Sequence, residues 1–411
     1  MLGAIIGDIV GSTREWHNIK TEEFEMVPRG SRFTDDTVMT LAVAEWLMTD
    51  TEHRPETLVA CMQQLGRKYP NAGYGKMFTR WLTTDNPQPY NSFGNGSAMR
   101  VSPVGLYANT LEEAMELARI TASVSHNHSE GIRGAQAIAG CVFLKKNNRT
   151  GAEDAIRNFV TEKIGYNLNF NLNDIRDKYT FDVTCQGSVP IAIKAYIERS
   201  GYSAQKALQL AISMGGDSDT IGAMTASIAS AEAFYIVGSD FDREVVSLCR
   251  DLLPADLLDI NDRFEAFISR PLHQSYYLGS KLFAGEYPGD KCRELAEIKL
   301  KRMHHFGVRH FIDLTEEGEL SPYQQMLPKD TSYLRFPIRD VNAPESVEAV
   351  HQLIDKIEYL MQQDGYTYVH CWGGVGRTGT IMACYEARQM EKPTLTGALD
   401  AMRRHFCNMP K

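Results

Sequence analysis

His370-Cys371-Trp372-Gly373-Gly374-Val375-Gly376-Arg377-Thr378 is the stretch whose residue types and spacing say most about chemistry. Five residues separate the cysteine from the arginine, and three of them are glycine. Tyr366-Thr367-Tyr368-Val369 before it reads as a strand. Thr380-Ile381-Met382-Ala383-Cys384-Tyr385-Glu386-Ala387 after it has helix composition. A strand, a glycine-rich loop and a helix start turn backbone N–H groups toward one point, which is an anion site. A cysteine placed there favours its thiolate form. Arg377 can fork onto phosphate oxygens. A bare C-x5-R spacing is common by chance as a buried cysteine beside a turn; the flanking His370, the glycines and Thr378 remove that reading.

This segment resembles the signature loop of the cysteine-dependent tyrosine and dual-specificity phosphatases. The resemblance implies that Cys371 attacks phosphorus and forms a phosphocysteine. It implies that Arg377 holds the equatorial oxygens, that Thr378 supports the thiolate and its release, and that no cofactor is needed. Gly373, Gly374 and Gly376 would line the phosphate cradle. Upstream lies Phe336-Pro337-Ile338-Arg339-Asp340-Val341-Asn342-Ala343-Pro344, a strand end and a loop bounded by prolines. Asp340 matches the general-acid position of that family, and a nearby thiolate would favour its protonated form. Taken alone, Asp340 reads as a turn-capping aspartate.

Two acidic clusters carry a second chemistry. Thr34-Asp35-Asp36-Thr37 stands before a helical pattern in which Met39, Ala42, Val43, Trp46 and Leu47 share a face. Gly215-Gly216-Asp217-Ser218-Asp219-Thr220 stands before a helix, Thr220 to Tyr235, apolar or small on every side. Each cluster alone is an ordinary helix N-cap. A cap needs one short acceptor, however, and each cluster offers two carboxylates and two hydroxyls. If the helix starts meet, Asp35, Asp36, Asp217 and Asp219 crowd one pocket, at heavy cost unless divalent cations compensate. Oxygen ligation of this kind suits Mg²⁺ or Mn²⁺, and two neighbouring ions would activate water and clamp a substrate oxygen.

Three further segments fit. Gly7-Asp8-Ile9-Val10-Gly11-Ser12 is a glycine turn followed by Glu15. Ser92-Phe93-Gly94-Asn95-Gly96-Ser97-Ala98-Met99-Arg100 is a loop whose backbone can approach a diphosphate. Ser125-His126-Asn127-His128 offers imidazoles before a helical stretch. Together the five segments resemble the ADP-ribosylglycohydrolase family, over about residues 2 to 260. That resemblance implies an all-helical fold with a binuclear Mg²⁺ or Mn²⁺ site that cleaves the glycosidic bond between ADP-ribose and an acceptor. Thr34, Asp35, Asp36 and Asp219 would bind one metal, and Asp217, Asp219 and Thr220 the other. Glu15 would be catalytic or gate the metals. Ser92, Gly94, Asn95 and Gly96 would cradle ADP-ribose, and His126 would contact it. Asp8 would be supporting. The acceptor, whether protein, nucleic acid or small molecule, does not follow.

Strand patterns are scarce before about residue 300 and then appear at Arg309 to Thr315, Tyr333 to Ile338 and Tyr366 to Val369. Between them Val347, Val350, Ile354, Ile357 and Met361 mark an amphipathic helix. Alternation of strand and helix implies a parallel sheet with covering helices. The expected architecture is multidomain: an all-α ADP-ribosylglycohydrolase-like domain over 1–265, then an α/β phosphatase-like domain with a central, mostly parallel sheet over 272–411. The texture changes near Arg270-Pro271-Leu272-His273-Gln274-Ser275.

A net charge of −9 in 411 residues disfavours a broad nucleic-acid or membrane surface. The N-terminus lacks a signal-peptide pattern, and no apolar run reaches membrane-spanning length. Eight scattered cysteines form no C-x-x-C pair, which suggests neither a zinc site nor a disulfide framework and fits a reducing cytoplasm. The expected function is a bifunctional hydrolase acting on ADP-ribosylated acceptors and on phosphomonoesters. The alternative is a phosphatase guided by an N-terminal module that binds ADP-ribose or a nucleotide without cleaving it. The oligomeric state does not follow from the sequence.

Overall fold

The computed structural model describes residues 1–50, 52–148, 150–231, 241–268, 270–272, 274–279, 281–390 and 393–406. The chain forms two compact units, Met1–Glu265 and Ala266–Lys411.

In the first unit, every described secondary-structure element is a helix, and helices Leu2–Gly11 and Ser218–Ala229 are buried along their whole length. Their contact explains the glycines of the first segment. A Cβ at Gly7 would sit 2.2 Å from the carbonyl oxygen of Gly222, and one at Gly11 would sit 2.4 Å from Asp219 Cα. Only glycine lets these backbones approach so closely, and the approach brings the segment after Gly11 against the start of the Asp219 helix. The expected Thr220 to Tyr235 helix is present up to Ala229; residues 232–235 lie outside the described residues. Helix Asp35–Thr49 starts at a Thr34 cap whose hydroxyl accepts from the Asp36 amide at 3.3 Å. The Thr34 hydroxyl thus caps the helix and also donates to Asp8 Oδ1 at 2.8 Å.

The second unit has a five-stranded sheet in the order β1-β2-β5-β3-β4, with β1 Ser275–Gly279, β2 Leu282–Gly285, β3 Val308–Asp313, β4 Ser332–Arg335 and β5 Tyr366–His370. β1 and β2 form an antiparallel hairpin; the remaining pairs are parallel. Period-two alternation sorts the strands' side chains between two cores. Tyr368, Phe311 and Phe283 pack on one face with Leu300 and Met303 of helix Arg293–Phe306. Val369, Ile312 and Leu282 pack on the other with Leu353, Ile354 and Ile357 of helix Val347–Met361 and with Ile381 and Met382 of helix Gly376–Arg388.

Two strand expectations change. The β1–β2 hairpin lies before residue 300, in a stretch too short for its alternation to stand out. The strand expected to run on to Ile338 ends at Arg335. Beyond it, Phe336 and Ile338 still donate their amides to Asp313 and Leu314, so the chain follows the sheet edge before turning into the Asp340 loop.

Candidate active sites

In the first unit the two acidic motifs meet. The Thr220 hydroxyl donates to Asp36 Oδ2 at 3.2 Å, across 184 residues of sequence. Glu15, Asp217 and Asp219 offer carboxylate oxygens within 4.8 Å of one another. Asp8 lies beneath them, fully buried. It accepts from the Thr34 amide and hydroxyl at 2.9 and 2.8 Å, and from the amide and hydroxyl of Thr37. Those bonds hold the Thr-Asp-Asp-Thr segment in place, so Asp8 is a structural anchor of the site.

The electrostatics follow from this crowding. Burial and the neighbouring carboxylates push Asp35 up to about 8; burial, only partly offset by its hydrogen bonds, raises Asp8 to about 6. Asp36 and Asp219 lie well above the ordinary aspartate range, by burial first and then by Asp8 and Asp35 in one case and Asp217 and Asp36 in the other. Burial also raises Asp217 and, with Asp217 beside it, Glu15. Asp36 Oδ1 is buried and has no hydrogen-bond partner among the described residues. An orphaned carboxylate oxygen amid uncompensated acids is a donor set that fits a divalent cation.

Two further links tie this pocket together, and the second, Asn18, lies in no motif. Asn95 reaches from the glycine loop to Asp217, donating to Oδ2 at 2.6 Å. Asn18 clamps the Glu15 segment to the turn before Asp217: its Nδ2 donates to the Glu15 carbonyl, and its Oδ1 accepts from the Gly216 amide at 2.7 Å. Gly215 and Gly216 sit at φ of +68° and +76°, a left-handed turn that favours glycine.

The loop from Ser92 to Ser97 is pinned along its backbone. The Asn95 amide donates to Val183, the Cys185 amide donates to Phe93, and Ser92 Oγ accepts from the Gly94 amide at 3.1 Å. His126 is buried behind this loop, between the rings of Tyr90 and Phe78, with Nδ1 2.8 Å from Ser125 Oγ. A Cβ at Gly96 would lie 3.1 Å from its Nε2. Burial and then the Arg100 charge hold His126 well below the usual histidine range, so the ring is neutral. His128 caps helix Ser129–Asn147, its ring accepting from the Glu130 amide.

In the second unit Cys371 stands at the end of β5, and the loop runs directly into helix Gly376–Arg388. Gly374, at φ +74°, packs so closely on β2 that a Cβ would meet Gly285 at 2.3 Å, while a Cβ at Gly373 or Gly376 would meet nothing within 4 Å. The loop is thus anchored at Gly374 and open at the other two. The Thr378 hydroxyl is buried and unpartnered among the described residues, which leaves it available to a thiolate or an ester oxygen. Asp340 is exposed on its loop, with Oδ1 3.5 Å from the Arg377 guanidinium.

Arg377 is nearly buried and already gripped. Its two terminal nitrogens donate to the two oxygens of Glu319 at 2.7 and 2.6 Å, and Nη1 also donates to the Ile338 carbonyl at 3.0 Å. Sequence reasoning misses Glu319, since Glu316-Glu317-Gly318-Glu319 reads as a solvated acidic turn. Behind the loop His370 is fully buried, 2.7 Å from the Tyr323 hydroxyl and 3.9 Å from Asp313 Oδ1. Burial lowers His370, with Asp313 opposing.

Comparison with known proteins gives a family for each region. Residues 1–233 match the ADP-ribosylglycohydrolase family, and residues 291–391 match the family described as "Polymorphic toxin system, DSP-PTPase phosphatase". The first match covers more than half of the sequence, and the chain belongs to the ADP-ribosylglycohydrolase family. The chain is similar to the ADP-ribosylhydrolase ARH3 of Mus musculus, 24% identical over 302 residues, covering 56% of this chain and 82% of that protein. It is also similar to the putative tyrosine phosphatase 067L of Invertebrate iridescent virus 3, 31% identical over 119 residues, covering 28% of this chain and 45% of that protein. A solved ADP-ribosylglycohydrolase-related protein complex aligns with 21% identity and a TM-score of 0.42, covering 63% of this chain and 96% of that one.

The N-terminal region is thus a helical ADP-ribosylglycohydrolase-like domain and the C-terminal region a phosphatase-like domain with a mostly parallel sheet. No helix among the described residues is long and apolar enough to cross a membrane.

Proposed function

We propose that the chain is a bifunctional hydrolase. Its first unit cleaves the glycosidic bond of ADP-ribosylated acceptors with divalent metal, and its second hydrolyses phosphate monoesters through a phosphocysteine. The observation that carries the first half is the Thr220–Asp36 contact, which joins the two acidic motifs in one pocket. Thr34, Asp35, Asp36 and Asp219 would hold one Mg²⁺ or Mn²⁺, and Asp217, Asp219 and Thr220 the other. Cations bound there would supply polarisation of a water and of a substrate oxygen. The Glu15 carboxylate, raised by burial and by Asp217, takes up or returns the proton at that water. Ser92, Gly94, Asn95 and Gly96 present the diphosphate and ribose, with Asn95 registering the loop against Asp217. His126, expected to contact ADP-ribose, is buried behind this loop and acts on the bound ligand through it.

In the second unit Cys371 attacks phosphorus and Asp340 protonates the departing oxygen. Arg377, oriented by Glu319, holds the equatorial oxygens, while Thr378 supports the sulfur. The open cradle at Gly373 and Gly376 supports this reading. A reactive thiolate at Cys371 suits a reducing cytoplasm as the working compartment.

Two variants test the pair. Asp219→Ala should abolish metal-dependent release of ADP-ribose and leave ester hydrolysis working; Cys371→Ser should do the reverse. Absence of metal-dependent release by wild type from arginine, serine and nucleic-acid conjugates would refute the first half. Tight ADP-ribose binding without turnover would favour a guiding module instead.

A further inference from the structure

A cavity of about 540 Å³ opens beside the Cys371 loop, with Tyr287, Lys291, Lys299, Glu319, Ser321 and Trp372 in its walls. That volume is in the range of small-molecule sites. Two of its walls are tied to the loop. Trp372 follows Cys371 directly, and its carbonyl accepts from the Tyr287 amide at 2.8 Å. Glu319 is the residue that grips Arg377.

Trp372 is 67% exposed. A large apolar plate is thus left in water immediately beside the nucleophile, where it can stack on a flat ring. Two of the surrounding carboxylates are already neutralised, Asp290 by Lys299 at 3.2 Å and Glu319 by Arg377. Glu286 accepts from the Gln274 amide. Lys291 has no ion-pair partner among the described residues and remains as an available cation. Ser321 and the backbone at Gly289 and Gly318 add hydrogen-bonding groups. One aromatic plate, one unpaired ammonium and polar walls match a planar base, a second negative charge and a sugar.

We infer that this cavity receives the alcohol part of the phosphate ester, and that the ester is a nucleotide. The base lies on Trp372, and a further negative group of the ligand faces Lys291. This inference rests on the reading of Cys371 as a phosphate-ester nucleophile. It also suits the first unit, whose proposed substrate carries adenosine and phosphates itself.

The test is steady-state hydrolysis by the full chain of adenosine 3′,5′-bisphosphate, which keeps a second phosphate for Lys291, of adenosine 3′- and 5′-monophosphate, of β-glycerol phosphate and of a phosphotyrosine peptide. The bisphosphate should exceed β-glycerol phosphate and the peptide at least tenfold in kcat/KM, with the monophosphates between. Trp372→Ala should reduce the nucleotide-to-glycerol-phosphate ratio at least tenfold, the loss falling in KM. Lys291→Ala should act in the same direction, and Trp372→Phe, which keeps a ring, should retain most of the ratio. Preference for the peptide, or an unchanged ratio in Trp372→Ala, overturns the nucleotide assignment while leaving Cys371 as nucleophile. Failure of wild type on all the esters overturns the Cys371 reading as well.

Discussion

Glu319 and Arg377 make a two-point grip, carboxylate to guanidinium at 2.6 and 2.7 Å, in which both terminal nitrogens of the arginine are engaged. A planar fork fixed on one edge keeps its remaining edge in a single orientation, which is what recognition of a tetrahedral anion requires. Glu319 therefore positions Arg377 and, on the proposed chemistry, the phosphate that Arg377 holds.

Glu319→Gln keeps the size and loses one half of the fork. The expected result is a fall in kcat/KM for phosphate esters of about ten- to a hundredfold, the scale of a misplaced catalytic group. Turnover equal to or above wild type would mean that Glu319 competes with phosphate for the arginine. The Arg377 hydrogen bonds hold Glu319 below the usual glutamate range. The grip therefore contributes above the ordinary glutamate pKa and is lost only as pH falls through that lowered value. Acid-limb kinetics of wild type against Glu319→Gln check this.

Asp340→Asn removes the candidate proton donor. Hydrolysis of an alkyl phosphate should fall by about 10²- to 10⁴-fold, the usual weight of general acid catalysis. An aryl ester with an acidic leaving group should lose much less. Equal losses on both would assign Asp340 to holding Arg377, 3.5 Å away, rather than to proton transfer.

Metal removal should make the first unit pH-sensitive. Asp35 is raised to about 8 and Asp8 to about 6, so these acids stabilise the metal-free fold when protonated. That contribution is fully present below the ordinary aspartate range and is lost as pH rises through about 6 and then about 8. In chelator, the thermal midpoint should drop between pH 5 and pH 8.5. Mg²⁺ or Mn²⁺ should raise it more at pH 8.5 than at pH 5. A metal-free midpoint that stays flat over this range would contradict the crowding argument.

Gly11→Ala probes the helix contact beneath the site. The new Cβ would lie 2.4 Å from Asp219 Cα, so one backbone has to move. Overpacking of this kind costs about 1–3 kcal/mol. The expected outcome is a lowered thermal midpoint together with weaker metal binding by calorimetry. Unaltered metal affinity would separate the helix contact from the geometry of Asp219.

The chemistry of each site is local in the sequence. The proposed nucleophile Cys371, Arg377 and the intervening glycines occupy one loop, and the helix caps Thr34 and Asp217 stand at the starts of recognisable helices. Backbone geometry over a few residues dictates such features, so Cys371, Arg377 and the paired acidic motifs can be read without coordinates. Gly7 and Gly11 are visible in the sequence as well, but only as a turn. Their actual task, closing two buried helices on each other, needs the partner helix more than two hundred residues away.

What the tertiary structure alone decided is which distant groups complete these local motifs. Asn18 meeting Gly216 and Glu319 gripping Arg377 are contacts between segments that share no periodicity or motif. Each is set by how buried elements pack, and a single polar side chain at the end of such a contact looks like any surface residue until the packing is known. The sequence determined which atoms could react; the packing determined which carboxylates are crowded, which guanidinium is held, and that Trp372 faces solvent beside a cavity.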